Sequence, residues 1–171
     1  MRNNLGGLGS ALSALSAEVE IASLARPSRR VKLDEFVLGA LDVALAADEL
    51  VTAIRVPALP SSARWGYVKH CRKVGEFAHA IGAVVIDPAE GSGRAVIGAV
   101  EAAPIVIEDV RILFSGAIGP SFASRFDASA ADAALAAAGM SDPVDRHVHV
   151  AVLRRAIAEA SGGRAKVPDA A

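Results

Sequence analysis

The chain has 171 residues, enough for one ordinary domain or two small ones, and 53% of them are hydrophobic but only 4% aromatic, so its core must be built mainly of Ala, Val, Ile and Leu. A net charge of −1, from 18 Lys+Arg against 19 Asp+Glu, argues against a general nucleic-acid binder, which needs a basic face to displace counterions. The single cysteine, Cys71, excludes a disulfide framework and any cysteine-built zinc or iron–sulfur site within the chain.

In chain order, Leu8, Leu12 and Leu15 recur at helical spacing, and Val19 and Ile21 then alternate with Glu18 and Glu20, so a short helix feeds a strand. Ala25 to Arg30 is a turn around Pro27, and Val31 and Leu33 continue as a short strand. Asp34 is expected to cap a short helix over Glu35 to Leu38 that ends at Gly39. "DELVTAIRVP", Asp48 to Pro57, reads as a turn entering a strand that Pro57 stops. The Pro- and Ser-containing connector Ala58 to Arg64 marks the internal boundary.

Three strands are expected beyond it: Arg64 to Lys73, Ala80 to Asp87, and Gly93 to Pro104. The second has an alternative reading as a helix beginning at Phe77. The turn residues of "DPAEGSG" between the last two predict an antiparallel hairpin. Ile105 to Leu113 suits a short helix or a strand, and Ser129 to Met140 an Ala-rich helix with Gly139 near its end. Asp142 and Pro143 then open a long helix with Val144, Val148, Val152 and Ala156 on one face, widened by Ala151, Leu153 and Ile157, and closed by Gly162 and Gly163. Arg164 to Ala171 reads as a loose tail. Strands followed by helices predict an α+β fold.

No segment reads as a signal peptide or a membrane span: Ile112 to Ser124 is broken by Gly and Pro and falls short of the roughly 18 residues a span requires. The positive mean hydropathy of +0.39 reflects Ala and Val, and the expected setting is the cytoplasm. Metal chemistry lacks support as well, because His147 and His149 stand two apart, which on a helix points them to different sides. "LGGLGS", Leu5 to Ser10, lacks both the preceding strand and the third glycine of a dinucleotide loop. No nucleophile–base–orienter set is present, so no catalytic residue is assigned and any hard chemistry would fall to a cofactor.

The stretch "GYVKHCRKVGEFA" stands apart. Strand alternation puts Trp65, Tyr67, Lys69 and Cys71 on one face, uncommon in a chain so poor in aromatics, and Arg72, Lys73, Gly75 and Glu76 follow at a turn. On pattern alone this is a half-buried strand whose lysine reaches solvent.

The ordered segments "AEVEIAS", "VKLDEFVLG", "DELVTAIRVP", "GYVKHCRKVGEFAHAIGAVV", "VIGAVEAAP" and "HVHVAVLRRAIAEA" resemble the FAD-binding, or medium, subunit of molybdenum-containing hydroxylases, the family of carbon monoxide and xanthine dehydrogenases. The resemblance implies the C-terminal portion of such a subunit: residues 1–62 as the end of a two-lobed FAD-binding domain, and 63–163 as a domain with a three-stranded antiparallel sheet packed with helices. The family's glycine-rich pyrophosphate loop is not present, and Gly6 and Gly7 are read as a remnant of its second glycine motif, without the acidic residue that follows there. The family further implies FAD as cofactor, with molybdenum and iron–sulfur centres only on a large and a small partner subunit. Electrons would pass from the clusters to FAD and then to an external acceptor. By the same resemblance Val51 lies beside the flavin, Lys69 and Tyr67 match the family's aromatic-x-Lys strand, and Gly75 and Glu76 match its glycine and acidic residue. The rival reading is a non-catalytic module that keeps the C-terminal fold and docks to partners without flavin.

Overall fold

A computed structural model describes residues 6–39, 42–73, 75–100 and 102–162; the expected tail, 164–171, and residues 1–5 lie outside this description. Helix α1, Gly6–Ala14, leads into β1, Glu18–Ser23. Strand β2, Arg29–Lys32, helix α2, Leu33–Phe36, and the short strands β3, Val37–Gly39, and β4, Asp42–Val43, come next, followed by β5, Glu49–Arg55. The second half carries β6, Arg64–His70, β7, Ala80–Asp87, β8, Ser92–Gly98, and β9, Ile105–Ile107. It ends with α3, Ala128–Ala137, and α4, Pro143–Gly162.

Two larger antiparallel sheets result, with strand orders β2-β1-β5 and β6-β7-β8-β9. Mixed helix and antiparallel strand is what the sequence pattern predicts, but the second sheet has four strands rather than three. The ambiguous segment 105–113 resolves both ways: Ile105–Ile107 pairs with β8, and Val110–Leu113 turns into a 3₁₀ helix whose first residue follows Asp109 as N-cap. β7 begins at Ala80, so the reading of a helix from Phe77 does not hold. Its residues are nearly all buried, because helices cover both faces of this strand and leave no side chain for solvent.

Alternation along β7 and β8 sorts the side chains. Val84, Ile86, Ala95 and Ile97 enter the main core with Leu153, Ala156 and Ile157 of α4, Leu135 of α3 and Phe122. Ala83 and Val96 face the other way and meet Ala14 of α1. The sheet is therefore a middle layer between α4 and α1. Helix α1 also touches the first sheet, where Leu12 packs on the cluster of Val19, Ile21, Leu33 and Phe36. Its glycines and alanines suit this seat, since a helix with few large side chains can approach two sheets closely.

Three details depart from the sequence reading. Asp34 does not cap a helix: α2 starts two residues earlier than expected, at Leu33, and ends at Phe36 before strand β3, and the Asp34 carboxylate is drawn instead to the Arg94 guanidinium at 2.6 Å. Leu33 is accordingly helical rather than the end of a strand. The buried face of α4 holds Val152, Leu153, Ala156 and Ile157 as expected, but its first turn does not follow the stripe. Val144 stands 70% exposed, whereas His149 is buried with its Nδ1 2.8 Å from the Asp145 carbonyl. Asp142 does act as foreseen, its Oδ1 accepting from the Val144 amide at 2.8 Å.

Candidate functional site

Strand β6 lies at one margin of its sheet, with Trp65, Tyr67 and Lys69 opposite Val85, Ala83 and Ile81 of β7. Opposed residues share a face, so all three side chains look toward the α1 side of the sheet. Two constraints hold β6 in place. Gly66, on the reverse face, lies so close to α4 that a Cβ there would sit 1.9 Å from the Ala156 carbonyl oxygen. The Glu159 carboxylate of α4 accepts a hydrogen bond from the Tyr67 amide at 3.2 Å, covering an amide that an edge strand would otherwise expose.

Helix α1 covers β7 and β8 but stops short of β6, and the uncovered strip is an open apolar groove of about 300 Å³. Ala11 and Leu15 form its helix wall, Tyr67 and Val85 its floor, and Leu59 and Trp65 its rim. At the start of α1 a Cβ on Gly7 would lie 3.2 Å from the Tyr67 hydroxyl oxygen, so the glycine gives this phenol room beside the first turn of the helix. Burial, and secondly the Cys71 thiol, push the Tyr67 phenol above its ordinary pKa, so it stays a neutral hydrogen-bond donor. Lys69 lies on the same face one alternate position along; it is exposed and makes no ion pair among the described residues.

The loop after β6 brings Gly75 and Glu76 to the surface. Gly75 has φ +90°, a left-handed conformation that a side chain strains, and the Glu76 amide closes the turn on the Lys73 carbonyl at 3.3 Å. This turn geometry accounts for both residues locally; neither lines the groove. Arg72 and Lys73 are exposed beside them.

Val51 lies on the other sheet. Thr52 is unopposed in the pairing of β5 with β1, a β-bulge in which its hydroxyl donates to the Glu20 carbonyl at 3.1 Å. The extra residue reverses the alternation, so Val51 pairs with Ile21 and Ile54 with Val19, and both face the side on which Ile21 and Val19 are buried. Yet Val51 is 40% and Ile54 48% exposed, because β5 is the outer strand and nothing among the described residues covers that margin. The fold thus brings Tyr67 and Lys69 together, adds Gly7 and Trp65 to them, sets Gly75 and Glu76 in a separate turn, and leaves Val51 on an apolar ledge of the first sheet.

A larger cleft, about 480 Å³, lies between the segment after β8 and the start of α4, lined by Met140, Asp142, Asp145 and His149. It contains none of the residues that the resemblance singles out. No group of three or more His, Cys, Asp or Glu among the described residues is arranged to hold a metal ion. No described helix is long and apolar enough to cross a membrane.

Residues 1–59 match the family described as the FAD binding domain in molybdopterin dehydrogenase. Over 108 residues, 63% of this chain and 32% of the relative, the chain is 33% identical to the nicotine 6-hydroxylase medium subunit of Paenarthrobacter nicotinovorans. Among solved structures, a chain of the Cu,Mo-CO dehydrogenase superposes with a TM-score of 0.72 at 26% identity, covering 90% of this chain and 56% of that one. The reconstituted CO dehydrogenase from Oligotropha carboxidovorans gives 0.70, again at 26% identity, with the same coverage. The chain thus spans about a third of the curated relative's length and a little over half of the solved chains. In sequence over part of its length and in fold over most of it, the chain is similar to FAD-binding medium subunits of molybdenum-containing hydroxylases.

Proposed function

We propose that this chain forms the flavin-facing part of an oxidoreductase subunit of the molybdenum hydroxylase type, acting in the cytoplasm beside a molybdenum-bearing large subunit and an iron–sulfur small subunit. The observation that carries this reading is the apolar groove on β6 with Tyr67 in its floor, the Tyr67 hydroxyl beside Gly7, and the exposed Lys69 next along the strand, outside the groove lining and without an ion-pair partner among the described residues. These residues fit part of a flavin dinucleotide: an aromatic and aliphatic wall for a flat ring system, a neutral phenol as donor, and a cation. We take the connector Ala58 to Arg64 as the seam between the FAD-binding portion, 1–62, and the C-terminal domain, 63–163.

FAD, when bound, supplies the redox centre between the iron–sulfur clusters and the external acceptor. The chain's own contribution is then electrostatic and steric. The Lys69 ammonium favours negative charge that develops beside it, or holds a phosphate oxygen as a compact point charge. The Tyr67 phenol donates one hydrogen bond of fixed direction. Trp65 and Leu59 offer apolar surface to a bound ring at the groove rim. Val51, exposed on the ledge of β5, offers van der Waals contact to the same cofactor. Gly75 and Glu76 hold the turn that ends the β6 segment, and through it the direction of Lys69.

The extent of the groove supports a second reading. About 300 Å³ and open on one side, it is at the small end of ligand pockets and does not enclose a whole dinucleotide. A chain that keeps the C-terminal fold and docks to partner subunits without flavin would show the same cleft. The two separate on a titration of FAD against the purified polypeptide in its full natural length, followed by flavin absorbance. The flavoprotein reading expects saturable binding that weakens about tenfold or more in Lys69→Ala, together with a lower midpoint potential of the bound flavin. Absence of binding supports the docking module. Binding that Lys69→Ala leaves unchanged in both affinity and potential removes the role given to Lys69.

A further inference from the structure

Arg94 lies on β8 and is 6% exposed, yet none of its surroundings on that strand calls for a charge. Its guanidinium instead passes the C-terminal end of α1. Nη1 donates to the Ser13 carbonyl at 2.9 Å and to the Ser16 hydroxyl at 3.1 Å, and Nη2 donates to Asp34 Oδ2 at 2.6 Å and to Glu108 Oε1 at 2.9 Å. One side chain of the second sheet thereby grips the end of α1, the first turn of α2 and the segment after β9. The grip on α1 is chemically apt: the last carbonyls of a helix carry partial negative charge that a cation favours, and the Ser13 carbonyl, which accepts from the Ser16 amide at 3.0 Å, has a second lone pair for Arg94. Ser16 itself has φ +55°, the left-handed turn that ends the helix and aims its hydroxyl at Arg94.

We propose that Arg94 is the positioning residue of the β6 groove, pinning α1 at its C-terminal end so that its N-terminal end holds Gly7 against Tyr67. Nine residues of helix span about 13 Å, so α1 acts as a short rigid lever between the two points. Seen from the pin, Leu15 and Ala11 form the groove wall, and Gly7 lies farther along α1 beside the Tyr67 hydroxyl. Apart from Leu12, which packs on the first-sheet cluster, α1 offers no other directional contact to the sheet beneath it. Ser10 and Ser13 bury hydroxyls that find no hydrogen-bond partner among the described residues, and Ala14 presents only a methyl group to the sheet. The weakly specific contact of small side chains leaves register to the one directional, multiply bonded group at the end. The fork geometry matters, because a lysine in its place cannot donate along both directions from one planar head.

Part of this inference rests on the flavin reading of the groove, and the test keeps the two apart. Amide hydrogen exchange is followed in the full chain without flavin for wild type, Arg94→Met, Arg94→Lys and, as a milder disruption of the same pin, Asp34→Asn. The pin predicts exchange of the α1 amides faster by about tenfold or more in Arg94→Met, an intermediate effect in Arg94→Lys and Asp34→Asn, and unchanged protection in β7 and α4. Unchanged α1 exchange overturns it, as does a uniform rise across α1, β7 and α4, which marks a merely stabilising ion pair. If Arg94→Met does not fold, the two milder variants decide by the same pattern. FAD affinity of the same proteins is then compared. A loss that ranks Met above Lys extends the pin to the cofactor. Loosened α1 with unaltered affinity leaves the pin standing and counts against the groove as the flavin site.

Discussion

Glu49 and Gly66 show two ways in which one residue constrains this fold. The Glu49 carboxylate takes hydrogen bonds from Arg29 at 2.9 and 3.0 Å and from the Ala46 amide at 2.9 Å, and these hold its pKa down from 4.5 to about 2. Its side chain is only 5% accessible, so the Arg29 pairing is better shielded than the exposed guanidinium alone suggests. A carboxylate with a depressed folded pKa stabilises the native state above its unfolded value and loses that contribution as pH falls toward the folded value. Unfolding free energy measured by denaturant should therefore decline as pH drops from 4.5 to about 2, and Glu49→Gln should flatten the decline. Equal slopes in the two proteins would contradict the assignment. Gly66 is constrained by contact rather than charge. Its missing side chain admits the Ala156 carbonyl of α4, and a methyl group there would force the helix from the sheet. Gly66→Ala is expected to cost about 3 kcal/mol in equilibrium unfolding, the upper end of overpacking, because backbone rather than a flexible side chain must move.

Among the elements, the helices of the second half are the most plainly encoded. Asp127 caps α3 by accepting from the Ser129 and Ala130 amides at 2.9 and 3.0 Å, which also lowers its pKa. Asp127→Ala should destabilise the protein by about 1 kcal/mol, read from the shift in denaturant midpoint at unchanged slope. Asp142 before Pro143, and the Gly139 that ends the preceding turn at φ +95°, were equally readable, since capping chemistry is local. Elements shaped by distant partners were not. Asp34 has the composition of a cap, but Arg94, far along the chain, claims its carboxylate. The bulge at Thr52 is invisible to a period-2 count, although it decides which way Val51 faces. β9 has three residues and exists because β8 offers an open edge, a fact no local pattern carries.

At the scale of the whole molecule, two sheets share one thin helix, and the candidate site lies where that helix ends its cover. Alternation alone put Trp65, Tyr67 and Lys69 on one face, and the pairing with Val85, Ala83 and Ile81 agrees. What alternation could not supply is the other wall. Gly7 and Leu15 reach β6 only through the packing of α1, and Arg94 looks in the sequence like one more solvated arginine on a strand. Gly75 and Glu76 were singled out only by the family resemblance, and the structure gives them a turn outside the groove lining.

The central claim is that the β6 groove receives flavin, and the chain carries its own reporter there, because its one tryptophan, Trp65, stands on the groove rim. Trp65 emission recorded while FAD is titrated into the purified protein tests it most directly. The account predicts saturable quenching that Lys69→Ala shifts to higher FAD concentration. Flavin bound with Trp65 emission unchanged would place the cofactor elsewhere and contradict it.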